Sequence, residues 1–389
     1  MNFSKRMERF PDEIFASLNE KTIALQKQGR TLYNMFVGTP DFETPKHIRD
    51  ALCEAAKDPA NWKYTLRDCD ELVQAVIHYY HKRFHVDLTP DMIASCPGSQ
   101  EGMAHIGMVL ADEGDTCILP TPCYPAFITC ANMAGLTPFY YPMTKETNFL
   151  PDVSAIPDDV ADRAKFMIVS LPSNPTGSIG NDENYMEIIA WAKKHNVLII
   201  HDNAYSDIIF DGIEGKSFLQ YSGAIENGVE FFSLSKSFDV TGARLSFLVG
   251  NPEVVQMFKK LRSQYDFGMF MPLQKAAIAA LEGPLDMVEE QKHKYQERRD
   301  ALCGGLRSIG WDVPDSKGTM FVWAPIPSWY KSSMQFCLDL MDKSGVICTP
   351  GSSFGPLGEG YVRFALVLPP EKIKKAVQAI QDCGILKHD

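Results

Sequence analysis

Four short apolar runs, each closed by polar or ring-bearing residues, constrain the fold of this chain more than any other feature. They are DTCILPTPCYP (115–125), AKFMIVSLPSNPTG (164–177), NVLIIHDNAY (196–205) and EFFSLSKSF (230–238). A continuous apolar run of strand length reads as a strand buried on both faces, whereas DENYMEIIAWAKKH (182–195) repeats its apolar residues at helical spacing. Strands alternating with helices predict an α/β fold: a large domain with a mainly parallel sheet covered by helices on both faces. Ligands of such sheets bind beyond the carboxyl ends of the strands. Tyr124, Asn174, Asp202, Tyr205 and Lys236, which follow the runs, are therefore expected to converge on one crevice.

Near residue 285 the texture changes. A long charged helical stretch, PLDMVEEQKHKYQERRDALCGGLRSIG, precedes the strands TMFVWA, GVICTP and GYVRFAL and a last helix, EKIKKAVQAIQD, which is an α+β pattern. A chain of 389 residues exceeds what one hydrophobic core usually serves. The expected organisation is a large domain over 46–285, with residues 1–45 and 286–389 forming an N-terminal arm and a smaller α+β domain.

Lys236 is the odd member of FFSLSKSFDVTGARLSFLVG (231–250), a charge between hydroxyl residues on a largely apolar segment. A buried unpaired ammonium costs several kcal/mol, so the side chain either stays in water or has a use that offsets desolvation. One such use is an imine with an aldehyde cofactor. Ser233, Ser235 and Arg244 offer hydroxyls and a guanidinium suited to a phosphate dianion. Gly98, Ser99 and Gln100 open a helical pattern whose free N–H groups favour an anion. Asp202 ends a buried strand and needs a cation, either a basic side chain from elsewhere in the fold or a pyridinium nitrogen; Tyr205 then reaches that ring's phenolic oxygen. Tyr124 offers a flat face for stacking, and Asn174 sits in a turn bounded by prolines. Arg363, on an apolar strand, is suited to bidentate capture of a carboxylate, which Gly38 would admit close to the backbone.

Other chemistries are poorly supported. The net charge of −11 argues against nucleic-acid or membrane-surface binding, and no apolar window approaches the length of a spanning helix. The ten cysteines include no CxxC pair and read as buried thiols of a reducing, cytoplasmic protein. His78, His81 and His85 share a helical face as a metal cluster or, in the reading preferred here, as a solvated face, so no metal is expected. Neither GxGxxG nor a P-loop is present, since DGIEGKS has Phe210 where the first P-loop glycine belongs.

Taken together, SLSKSFDVTGAR, SNPTG, HDNAY, GSQEG and VRFAL resemble, in order and spacing, the fold-type I (aspartate aminotransferase-like) class I/II aminotransferases that use pyridoxal 5'-phosphate. The resemblance spans nearly the whole chain. It implies Lys236 as the Schiff-base lysine, Asp202 as partner of the ring nitrogen, and Asn174 and Tyr205 as ligands of the ring oxygen. It further implies Tyr124 as the stacking ring, a phosphate cup of Ser99, Gln100, Ser233, Ser235 and Arg244, and a carboxylate clamp of Arg363, Gly38 and Asn174. Within the family the pattern is most similar to bacterial alanine (glutamate:pyruvate) and LL-diaminopimelate aminotransferases. Amino acids and 2-oxo acids are the implied substrates, with glutamate/2-oxoglutarate and alanine/pyruvate as expected pairs. The implied assembly is a homodimer in which Tyr64 reaches the partner's phosphate and Arg67 its substrate, with Arg262 a competitor for that last role. The arm residues Phe3, Met7, Phe10 and Phe15 would be covered in the dimer. Two positions depart from the family pattern: Glu13 stands where a tyrosine is usual, and Asp68 where a glycine is usual. A lyase of the same fold would keep all these residues. A DNA-binding regulator on this fold would need a further domain, for which the stretch before Asn34 is too short.

Overall fold

The computed structural model describes residues 3–10 and 15–387, with side chains from residue 18 onward in the second stretch. Glu13 and the Phe15 side chain, named above, lie outside the described residues. Seven strands form the large sheet: β1 (Ile93–Cys96), β2 (Thr116–Thr121), β3 (Thr137–Pro142), β4 (Ala164–Ser170), β5 (Leu198–Asn203), β6 (Gly228–Ser233) and β7 (Ser246–Gly250). Their order is β1-β7-β6-β5-β4-β2-β3. The four expected runs are the parallel centre, β2-β4-β5-β6. At one edge β7 runs antiparallel to both β6 and β1. Three strands escaped the pattern of long apolar runs. β1 is only four residues, β3 is a partly exposed edge, and β7 is hidden in the run beyond Lys236.

Alternation along the strands sends neighbouring residues to opposite faces. On one face Met167, Ile199 and Phe232 pack with Tyr79, Tyr80 and Phe84 of helix α1 (Asp70–Phe84). On the other, Ile168, Ile200 and Phe231 pack with Met103 and Ile106 of α2 (Ser99–Leu110). β6 ends at Ser233 in a one-turn helix, α3 (Leu234–Ser237), and beyond the sheet runs the long helix α4 (Asp286–Ser308). Leu302 and Leu306 of α4 share a separate core with Phe336, Val362, Phe364 and Ile373. That core covers an antiparallel sheet of β8 (Phe321–Pro325), β9 (Thr349–Pro350) and β10 (Tyr361–Ala365), in the order β9-β10-β8. Tyr33 and Asn34 pair in parallel with Val346 and Ile347, and the Ala365 N–H donates to the Met35 carbonyl. This pairing sets the course of the following segment, which holds Gly38.

His78 and His81 face Glu282 and Asp87 on the surface, and His85 is the left-handed cap of α1. No group of side chains among the described residues is placed to hold a metal. Likewise, no described helix is long and apolar enough to cross a membrane.

Beneath the carboxyl edge of the sheet lies a carboxylate that motif reading does not find. Glu230 on β6 is fully buried opposite His201 on β5. It accepts from Tyr80 Oη (2.8 Å), Ser217 Oγ (2.9 and 3.0 Å) and the Phe218 N–H (2.9 Å), and lies 2.9 Å from His201 Nδ1. This cluster ties α1 and the 217–218 turn to the sheet centre. Glu230→Ala would leave these buried partners without an acceptor. The expected loss is about 3–5 kcal/mol, read as a lower urea midpoint, whereas an exposed change such as Glu54→Ala should move it by no more than about 0.5 kcal/mol.

Candidate active site

Parallel strands bring their carboxyl ends to one edge, and that edge is where the candidate residues meet. Gly38, Ser99, Gln100, Tyr124, Asn174, Asp202, Tyr205, Ser233, Ser235, Lys236, Arg244 and Arg363 all line one cavity of about 310 Å³. Tyr64 and Arg67 do not line it. They border a separate open hollow, with Tyr64 87% exposed.

Asp202, one residue before the end of β5, is almost fully buried, and its Oδ1 has no hydrogen-bond partner. Burial lifts its carboxyl to about 6, and no lysine or arginine among the described residues pairs with it. The alternative of a basic side chain from elsewhere in the fold is therefore not what the structure contains. A cationic N–H donor entering the cavity would fill the gap. Tyr205 is buried one turn further on, with its ring edge-on to Phe321 at 5.7 Å, and burial raises its phenol well above the usual range.

Lys236 sits on α3, one turn beyond β6, and its Nζ donates to the Gly38 carbonyl at 2.7 Å. Burial first, then Arg363 and Arg244, push its ammonium down to about 8. A lysine so placed gives up its proton near neutral pH, as a nucleophile or base must. Gly38 is needed as glycine because a Cβ there would lie 2.4 Å from the Phe321 ring.

On the opposite wall, α2 starts at Ser99 directly after Gly98, whose φ of 88° admits glycine without strain. A Cβ on Gly98 would also strike the Arg244 guanidinium, 2.2 Å away. The first N–H groups of α2, Arg244 and the hydroxyls of Ser233 and Ser235 thus surround one anion-sized space. Tyr124 lines the cavity, its hydroxyl donating to Gln100 Oε1 at 3.0 Å.

Arg363 on β10 is buried, and its guanidinium lies between two rings, 4.1 Å from the Phe321 centroid and 4.7 Å from that of Phe354. Nη1 donates to Asn174 Oδ1 at 2.9 Å and Nη2 to the Phe36 carbonyl at 3.2 Å, while Nε has no partner. Burial lowers it to about 10. The rings fix the plane of the fork and leave donors for a carboxylate. Phe321, Phe354, Phe36 and Thr349 were missed at the sequence level because nothing in TMFVWA or GSSF separates a cavity wall from core.

One expectation needs correction. Arg262 is not free to meet a substrate, because it is buried and spent on Asp266 and on the Ser95 carbonyl. Asp68, which stands where the family usually has glycine, turns its carboxylate to Ser95, accepting from its N–H at 2.9 Å and its hydroxyl at 2.5 Å. It anchors the 63–69 loop to β1.

The donor set fits pyridoxal phosphate: an unpaired buried carboxylate for a ring N–H, a lysine poised to lose its proton, and a helix start with guanidinium and hydroxyls for a phosphate.

The profile of the family described as aminotransferase class I and II matches residues 30–380. An LL-diaminopimelate aminotransferase of Dehalococcoides mccartyi is 40% identical over 379 residues, covering 97% of each chain. Another, from Halothermothrix orenii, is 38% identical over 387 residues, covering 99% of each. Among solved structures, substrate-bound BacF from Bacillus subtilis superposes with a TM-score of 0.94 at 32% identity, over 98% of each chain. A Thermus thermophilus aspartate aminotransferase double mutant shares the fold, with a TM-score of 0.92 at 24% identity over 98% of this chain and 100% of that one.

The pH dependence of cofactor binding follows from Asp202. Pairing with a cationic ring favours the ionised carboxylate, so affinity should weaken as pH falls through about 6. Asp202→Asn should bind pyridoxal phosphate about tenfold or more weakly at pH 8. It should also lack the part of the pH slope that wild type shows beyond the phosphate's own titration. Equilibrium dialysis from pH 5 to 8 measures both, and identical slopes would refute the role.

Proposed function

The chain belongs to the class I and II aminotransferases, and from that premise we propose that glutamate and 2-oxoglutarate are one of its substrate pairs. It is a pyridoxal-phosphate-dependent transaminase that moves an amino group between an L-amino acid and a 2-oxo acid. The relatives' names favour LL-diaminopimelate as the second amino acid; alanine and pyruvate are the simpler pair that the same carboxylate clamp accepts.

When bound, the cofactor supplies an aldehyde that takes up the amino group and a ring that withdraws electrons from the substrate's Cα. Asp202, through its unpaired Oδ1, would hold the ring N–H, and Tyr205 and Asn174, which line the same cavity, would hold the ring oxygen. Tyr124 supports the ring face. Ser99, Gln100, Ser233, Ser235 and Arg244 hold the phosphate, completed by Tyr64 of a partner subunit. Arg363, with Asn174 and Gly38, orients the α-carboxylate. Lys236 Nζ then takes the proton from Cα as general base and gives it up as general acid.

One observation carries the substrate reading. Among the described residues the cations lining the cavity are Lys236, Arg244 and Arg363, and each already has a task, so a second carboxylate is best matched by a charge from a partner subunit. Arg67 is exposed and only loosely paired, 4.0 Å from Asp70. It stands beside exposed apolar side chains: Trp62 against Phe270, Tyr64 against Phe267, and Leu66. Such a patch is suited to a second copy of the chain, giving a homodimer with shared sites. Phe3 and Met7 of the arm are exposed as well. A division into a large domain (46–285) and a small one (1–45 with 286–389) is supported by two separate cores, although Tyr205, Ile208 and Phe210 pack into the second of them. Ten free cysteines support a reducing, cytoplasmic setting.

Lys236→Ala should lose turnover almost entirely. Mixed with Tyr64→Phe chains, it should regain activity through heterodimers that hold one intact site; activity no higher than either parent's would refute sharing. Arg67→Ala should reduce kcat/KM for glutamate and 2-oxoglutarate by about tenfold to a hundredfold while leaving monocarboxylic substrates within about twofold. Equal losses for both classes would assign Arg67 to the fold or cofactor. Coupled assays with LL-diaminopimelate and with alanine as donors decide between the second substrates.

A further inference from the structure

The turn that presents Lys236 ends on an aspartate that the transfer chemistry leaves unused. Asp239 is buried and has a φ of 54°, in the left-handed region that aspartate tolerates better than most residues. Its carbonyl accepts from Thr44 Oγ1 at 2.6 Å, and its Oδ1 accepts from Gln291 Nε2 at 2.7 Å. The same amide nitrogen reaches the Lys236 carbonyl at 3.1 Å. One side chain of α4 therefore grips both ends of the turn, while Asp239 Oδ2 stays buried without a partner.

The charged and titratable groups facing Asp239 come from three elements. Lys236 on its own turn attracts it, and Asp41 on the N-terminal segment repels it; α4 brings Arg298 and the buried, unpartnered phenol of Tyr295. Arg298 is committed to Asp41 at 2.6 and 3.0 Å, but Asp41 acts on Asp239 more strongly than Arg298 does, so the pair's net effect is repulsive. Burial first and Asp41 second push the Asp239 carboxyl up to about 7, close to the value near 8 of Lys236. Two groups of opposite sign thus titrate close together. Either charge alone is costly in this setting, and the two together cost less. Between about 7 and 8 the Asp239 carboxylate is ionised while Nζ still holds its proton, so the two form an ion pair; below about 7 Asp239 takes up a proton, and above about 8 Nζ gives its own up.

We propose that Asp239 is a positioning residue for Lys236: Gln291 holds its carboxylate within the lysine's turn, its negative charge stabilises the Nζ ammonium, and Asp41 sets when that charge is present. The proposal rests on Lys236 being the proton-moving lysine of the transferase.

Asp239→Asn keeps the shape, the left-handed backbone and an acceptor for Gln291, and removes only the charge. In the full chain freed of cofactor, acetylation of Lys236 by acetic anhydride, followed against pH by mass spectrometry, should have its midpoint near 8. In Asp239→Asn the midpoint should fall, giving about threefold more labelled Lys236 at a fixed pH below it. In the holoenzyme, kcat/KM should decline as pH falls through about 7 in wild type, be low and flat there in Asp239→Asn, and decline only at lower pH in Asp41→Asn. An unchanged labelling midpoint in Asp239→Asn, or a limb near pH 7 that survives in it, overturns the proposal. The labelling needs no substrate, so its failure is distinguishable from an error in the substrate assignment.

Discussion

Desolvation of charge at the carboxyl edge of the large sheet is the constraint on which the rest of this structure depends. Arg363 and Asp202 are buried and Lys236 half-buried where an isolated ion would be costly, and loss of solvent is the first cause of the displaced titration of all three. Each is left with unspent capacity: a lysine near 8, a guanidinium with an unpaired Nε, a carboxylate with an unpaired oxygen. A cofactor bearing an aldehyde and a cationic ring would satisfy Lys236 and Asp202, and a substrate carboxylate would satisfy Arg363. The fold's task is to hold these groups at the spacing such ligands need.

That task is divided between parts of the chain far apart in sequence. β5 and β6 supply Asp202 and the Lys236 turn, β10 supplies Arg363, and the N-terminal segment lays Gly38 over Lys236. The joints between these parts are polar and buried. Arg298 holds Asp41 and the Leu366 carbonyl, Gln291 holds the Lys236 turn, and Thr349 donates to the Phe36 carbonyl. Buried polar joints demand correct partners and geometry, which makes them better at fixing a single arrangement than at adding stability. Behind the sheet, Glu230 with its four partner residues does the same for α1.

Legibility varied with how local the signal was. The helix at 182–195 was readable to the residue, because its apolar periodicity is a signal contained within the segment itself. The four central strands were readable because burial on both faces leaves no polar alternation. The short edge strand β1 and the antiparallel β7 were not, since pairing at a sheet edge depends on partners distant in the chain. Arg262 shows the same limit at a single residue: the sequence presents a basic side chain near the site, and only packing reveals that Asp266 and Ser95 consume it.

The sequence by itself determined the type of chemistry. A lysine in a hydroxyl-rich turn, a carboxylate ending an apolar strand and a glycine-serine helix start are local patterns whose meaning follows from residue type and strand order. What only the tertiary structure decided is which of those groups have partners. It leaves Asp202 Oδ1 and Arg363 Nε unpaired, turns Asp68 inward to Ser95, and brings Asp41, Gln291 and Asp239 together around the lysine. The physical reason is that desolvation and pairing depend on every atom within a few ångströms. Those neighbours come from segments as much as 327 positions apart, as Phe36 and Arg363 are.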